Sequence, residues 1–217
     1  VIVNGIDQAF FAVGEQRANA ASTFSALPGS SSSAPVRLLY VGNLTEGKGV
    51  HVILEALEEV AALSSQTWQL SIVGDGPERK RLESQCKECK GTGLESKVVF
   101  HGSVEPENIP EVMAKAHIFV FASFAEGRPN AVLEAMTACL PVVAGAIPAV
   151  EELIEQGKQG LLFPPGDAKA LAKHLKFHIQ HPEERVTMGK RAGDSIKSLW
   201  LSWQNSAGQY ATLYSRL

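Results

Sequence analysis

The sequence predicts an α/β fold: a parallel, doubly wound sheet of six strands, followed by C-terminal helices. Two observations carry this. Short apolar runs, among them LLYVG, LSIVG, IFVFA and PVVAG, read as strands buried on both faces, as parallel strands usually are. Stretches with helical spacing separate these runs, and such alternation implies βαβ units.

In chain order, residues 1–35 form a segment between domains. Within it, 19–35 (NAASTFSALPGSSSSAP) are rich in Ser, Ala and Pro, which predicts a flexible loop. Residues 36–180 form the sheet domain. Its strands are expected at 37–42, 69–74, 98–101, 118–121, 141–144 and 160–163. Helices are expected at 48–63, 78–90, 108–115, 129–139, 149–156 and 168–179. Residues 181–217 read as helices without a strand between them. Trp203, Ala207, Tyr210, Leu213 and Tyr214 fall at helical spacing and predict an apolar stripe that packs on another body.

Composition narrows the function. Hydrophobic residues make up 45% of the chain, enough for a sizeable core, and a net charge of -3 gives no electrostatic case for nucleic acid. No apolar run reaches the roughly 18 residues expected of a membrane helix. The start, VIVNGIDQAFF, lacks the basic and long apolar stretches of a signal peptide. A cytoplasmic location is expected, and the missing initiator Met suggests a fragment. Cys86 and Cys89 form a lone C-x-x-C in a Lys/Glu-rich segment. A zinc site normally needs two further ligands, so a half-exposed helix end in a reducing compartment is expected. No metal site is predicted.

Ligands of doubly wound sheets sit outside the C-terminal ends of the strands. That places the loops 42–49, 74–77, 101–106 and 122–128 on one edge, with the loop after Ala144 joining them. The first loop, Gly42-Asn43-Leu44-Thr45-Glu46-Gly47-Lys48-Gly49, offers glycines for close backbone approach and a lysine for phosphate. It is not a Walker A motif, because Gly49 stands where Ser or Thr would hold magnesium, and it is not a dinucleotide fingerprint. In the second loop, Asp75 is placed to bind a ribose, but Asp-Gly-Pro is also turn and helix-start chemistry, and that reading is favoured. Gly102 suits close approach to a flat base, and His101 reads as a plain strand-end histidine.

The fourth loop carries the specific signal. A strand at 118–121 runs into a polar loop, and a helix is expected to open at Pro129, where the missing N–H is harmless. The helix is apolar almost all round, yet carries Glu134, with Glu126 eight residues earlier. A carboxylate on a buried helix costs several kcal/mol unless paired, and a polyhydroxylated ligand would pair it. Asn130 lies one turn from Glu134 on the same face. The N–H groups of Asn130, Ala131 and Val132 are expected to point at an anion.

Taken together, these residues resemble the C-terminal, donor-binding domain of a retaining family 4 (group 1) glycosyltransferase with the GT-B fold, one Rossmann-like half of it. Val3-Asn4-Gly5-Ile6-Asp7, Gly42-Asn43-Leu44 with Lys48-Gly49, Val73 to Pro77 and Val99 to Gly102 follow in family order. Glu126 to Glu134 matches the E-x7-E motif. Gly160 to Asp167 (GLLFPPGD) matches G-L-L-x-P-P-G-D, and Trp203 to Tyr214 resembles the helix that crosses back to the N-terminal domain.

The resemblance implies a catalytic role for Glu126 and Lys48. It implies donor binding by Gly42, Asn43, Lys48, Gly102, Ser103, Gly127, Arg128, Pro129, Asn130, Ala131 and Glu134. Lys48 would bind the diphosphate, Glu134 the ribose hydroxyls, Glu126 the sugar hydroxyls, and the base would rest near Gly102 and Ser103. Backbone amides from Gly127 to Val132 would stabilise the departing diphosphate. No cofactor or metal is implied. The substrate would be a UDP- or GDP-sugar, and a missing N-terminal domain would bring a glycan or lipid-linked acceptor, with peripheral membrane association of the full-length protein. This chain alone would bind donor and transfer poorly.

Two departures stand out. The family usually has arginine at Asn43, a contact worth about 1.5–3 kcal/mol, for which Arg128 is a candidate substitute. Ala149 stands where glycine is common. A degenerate binding module, suggested by Asn43, and a phosphorylase or epimerase on the same architecture are the alternatives. A nicotinamide dehydrogenase lacks its fingerprint here.

Overall fold

The structure, a computed structural model, describes residues 5–21, 34–63, 67–89, 92–198 and 211–212. Most of the predicted loop at 19–35 and nearly all of the predicted helix at 203–214 lie outside the described residues.

All six predicted strands are present: β1 (Val36–Val41), β2 (Trp68–Val73), β3 (Val98–Gly102), β4 (Ile118–Phe121), β5 (Val142–Gly145) and β6 (Gly160–Phe163). Every pairing is parallel, and the order is β3-β2-β1-β4-β5-β6. Period-2 alternation sends side chains to two cores. Leu38 and Tyr40 of β1, with Ile118 and Val120 of β4, enter the first. Leu39, Phe119 and Phe121 enter the second.

Helices cover both faces. The first core packs under α2 (Val50–Leu63), α3 (Arg79–Glu88), α4 (Leu94–Lys97) and α8 (Ala168–Gln180). The second packs under α1 (Gln8–Ala21), α5 (Ile109–Lys115), α6 (Asn130–Thr137), α7 (Pro148–Glu151) and α9 (Pro182–Ser198).

The sequence reading assigned no element to residues 8–18, and α1 extends through 19–21 of the expected loop. Phe10 and Val13 are buried in the second core, and Asp7 Oδ1 caps the helix by accepting the Ala9 N–H at 2.8 Å. The apolar stripe is thin because α1 packs through a glycine. A Cβ at Gly14 would lie 2.2 Å from the Thr137 carbonyl oxygen. The C-x-x-C also differs from expectation: Cys86 is a core residue, and only Cys89 is half-buried. Burial pushes both thiols up, Cys86 to about 11 and Cys89 to about 12, so neither is poised as a thiolate.

Candidate functional site

The strand order reverses between β1 and β4, and their C-terminal ends open the crevice where such sheets hold ligands. The loops after these two strands meet there. Gly49 makes the meeting close: its φ is +66°, and a Cβ would stand 2.2 Å from the Ala122 carbonyl oxygen. The Phe124 N–H donates to the Gly47 carbonyl at 3.0 Å. Across this junction Lys48 Nζ donates to Glu126 Oε1, and Ser123 Oγ donates to the same oxygen at 2.8 Å. Gly42 and Asn43 open the first loop. The Gly42 N–H is held by the Val73 carbonyl, and the Asn43 carbonyl accepts the Tyr40 hydroxyl, both at 3.0 Å.

The helix after Glu126 begins at Asn130, one residue later than predicted. Pro129 stands ahead of it, and its carbonyl accepts the N–H groups of Val132 and Leu133 at 3.0 and 3.1 Å. The Asn130 N–H donates to the Arg128 carbonyl at 3.0 Å. The amides of Asn130 and Val132 are therefore engaged in the turn, contrary to the expectation that both await an anion. Ala131 is half-buried on the first turn. Gly127 faces open space: nothing lies within 4 Å of where its Cβ would be.

Glu134 is half-buried on α6, and burial alone raises its carboxyl to about 7. Burial disfavours the charged form when nothing nearby donates to it. The carboxyl lines a cavity of about 440 Å³ together with Arg128 and Asn130, with Asp7 before α1, and with Glu107 in the β3–α5 connection. The lining thus combines three acidic side chains with one guanidinium, and its acceptors suit a guest rich in hydroxyl donors. Lys48 and Glu126 are not among its walls. The structure therefore groups Arg128, Asn130 and Glu134 around one hollow and ties Lys48 to Glu126 at the switch point, with Gly127 between them in the chain.

Gly102 and Ser103 form a third group, at the end of β3. Gly102 has φ +73°, and Arg79 Nη1 lies 3.2 Å from where a Cβ would be. Arg79 is held by Asp75 at 3.0 Å and Glu83 at 2.8 Å. Asp75 also accepts the Gly76 N–H at 2.7 Å, and these bonds hold its carboxyl below the usual range. That is the turn-and-helix-start chemistry the sequence favoured for Asp75. Ser103 is exposed. His101 reaches Ser71 Oγ at 3.1 Å through Nε2.

Sequence reasoning missed Ser123 and Arg79 as parts of these groups. Both bond to near neighbours in the sequence, Ser123 to Glu126 three residues on and Arg79 to Asp75 and Glu83 at i,i+4 spacing, but nothing in that spacing alone marks a ligand site. Among the described residues no group of three or more His, Cys, Asp or Glu is placed to hold a metal ion. No described helix is long and apolar enough to cross a membrane.

The family model of glycosyl transferases group 1 matches residues 30–194. The chain is 30% identical over 181 residues to the putative colanic acid biosynthesis glycosyltransferase WcaL of Escherichia coli (strain K12), covering 80% of this chain and 44% of that protein. It is 33% identical over 180 residues to the alpha-D-kanosaminyltransferase of Streptomyces kanamyceticus, covering 83% and 45%. The chain spans less than half the length of these curated relatives. Among solved structures, Anabaena HepE in complex with UDP-glucose superposes with a TM-score of 0.78 at 26% identity, over 100% of this chain and 57% of that one. The family match over residues 30–194 shows that the chain belongs to the group 1 glycosyl transferases, as a C-terminal Rossmann-like domain of the GT-B architecture.

Proposed function

We propose that the chain is the donor-binding half of a transferase that moves a hexose-type sugar from a nucleoside-diphosphate sugar to a glycan or lipid-linked acceptor, with retention of configuration. One observation carries the reading. Glu134 is a half-buried carboxylate without a partner among the described residues, in a cavity that offers acceptors. It stands eight residues from a Lys–Glu pair at the topological switch point.

In this reading Glu134 accepts the ribose hydroxyls. The donor's diphosphate draws Lys48 away from Glu126, and Glu126 accepts hydroxyls of the donor sugar. The base rests near Gly102 and Ser103. The leaving group is a nucleoside diphosphate, and positive charge aimed at its growing negative charge lowers the barrier. Lys48 supplies that charge and Arg128 replaces the arginine absent at Asn43, so the reading assigns no step to a metal or cofactor. The acceptor is recognised outside this chain, by the other half of the architecture. The solved relative that holds UDP-glucose supports a nucleotide-sugar ligand. Asn43 favours a second reading, a binding module that has lost turnover.

A thermal-shift panel of UDP, GDP, ADP and their sugars tests the proposal. Ligand at about 100 times its Kd stabilises by about 2.7 kcal/mol, a rise of roughly 5–10 °C for a domain of this size. A panel that leaves the melting temperature unmoved at millimolar ligand contradicts it.

A further inference from the structure

We propose that Ser123 is a positioning residue for Glu126: its buried hydroxyl fixes one carboxylate oxygen so that the other faces the donor sugar. The proposal rests on the role just given to Glu126.

Ser123 is fully buried, at 0% exposure. It follows β4 by two residues, directly after Ala122, the residue that Gly49 packs against. Its hydroxyl donates to Glu126 Oε1 at 2.8 Å, and a buried hydroxyl without that acceptor would be left unpaired. Lys48 donates to the same Oε1. Oε2 accepts no bond among the described residues, although the Glu126 side chain is 14% exposed. Two donors on one oxygen therefore orient the carboxylate and leave the lone pairs of the other available.

The two donors are not equivalent. Lys48 is 29% exposed on a long side chain and is free to turn to an incoming diphosphate. Ser123 cannot follow, because its hydroxyl sits on a short side chain inside the fold. When the lysine leaves, the serine keeps Glu126 in place. An unpinned glutamate in a loop would sample several rotamers and lose its aim as the donor arrives.

The experiment is a double-mutant cycle on this chain, Ser123→Ala with Glu126→Ala. UDP against UDP-glucose, GDP against GDP-mannose and ADP against ADP-glucose are titrated calorimetrically, and the sugar increment is read as the ratio of the two Kd values. Ser123→Ala is expected to reduce that increment about five- to tenfold while the nucleoside diphosphate's own Kd moves less than about twofold. In the Glu126→Ala background it should change nothing further. A loss shared equally by nucleotide and nucleotide sugar, or a loss that adds to that of Glu126→Ala, overturns the proposal. Should Ser123→Ala fail to fold, Ser123→Cys, with a weaker donor, takes its place under the same criteria. Should no pair bind the wild-type chain, the donor-binding reading has failed instead. The hydroxyl's hold on Glu126 is then read from denaturant unfolding of the same four proteins. Removing the hydroxyl should destabilise less once Glu126 is alanine, and equal losses in both backgrounds overturn the pairing itself.

Discussion

Glu126 and Glu134 are the same side chain in opposite circumstances. Glu126 lies in a loop and receives Lys48 and Ser123 on one oxygen. Glu134 lies on a helix, receives nothing from the described residues, and is held near neutrality by burial. A helix position is the easier one to fill with a compatible residue, yet it is the helix that carries the unpaired acid. The contrast shows two ways to keep a carboxylate at a site. One is neutralised in advance and must exchange partners. The other is left unsatisfied, at a cost to the empty fold, and gains most from a guest that donates hydrogen bonds.

Breaking the junction beneath Glu126 should have the largest effect. Gly49→Ala forces a Cβ against the Ala122 carbonyl at a left-handed φ. It should destabilise the chain by about 2–4 kcal/mol, measured by denaturant unfolding. A change under about 0.5 kcal/mol would mean that the two loops do not depend on each other.

Next come the charged residues themselves. Lys48→Ala should weaken nucleoside diphosphate about ten- to a hundredfold and flatten the salt dependence of binding, as measured by calorimetry at two ionic strengths. Glu134→Ala should weaken nucleotide sugars about tenfold or more without changing that salt dependence. If the two variants lose the same ligand terms, the division between a phosphate side and a hydroxyl side is wrong.

A smaller effect separates the acids without any ligand. The folded-state value of Glu134, about 7, lies above its ordinary 4.5. The native chain then holds a proton that the unfolded chain has released, so stability falls as pH rises from about 4.5 through 7. With solvent access discounted, the loss should be about 1–2 kcal/mol. Glu134→Gln should remove it, and the difference between the two pH–stability curves isolates this group from the histidines. Parallel curves would show that Glu134 has an ordinary affinity for its proton. The smallest expected change is Asn43→Arg, a gain of about threefold or more in diphosphate affinity from one added charge, with the product unchanged in the full-length protein.

Much of this was legible in the sequence, for reasons that the structure makes plain. The six strands are short, apolar and bounded by turn residues, so local chemistry marks them. Glu134 announced itself because an acid on an otherwise apolar helix is a local contradiction. What was not legible depends on topology. Lys48 and Glu126 are 78 residues apart, and only the reversal of strand order at β1 and β4 joins them. Ser123 and Arg79 bond to near neighbours in the sequence, but only the fold brings Ser123 to the oxygen that Lys48 shares and Arg79 to Gly102. The first helix was hidden because its contact with Thr137 is made by Gly14, whose role is to carry no side chain. The amides of Asn130 and Val132 were misjudged because the backbone around Pro129 turns back on itself and uses them internally.

Proton release on binding tests most directly whether Glu134 waits for hydroxyl donors. Calorimetry of the tightest nucleotide sugar at pH 6.5, in buffers of different ionisation enthalpy, counts the protons exchanged. Donors to Glu134 stabilise its charged form, so the wild-type chain should release a substantial fraction of one proton, and Glu134→Gln should release none. Equal release by both proteins, or uptake by the wild type, would contradict the account.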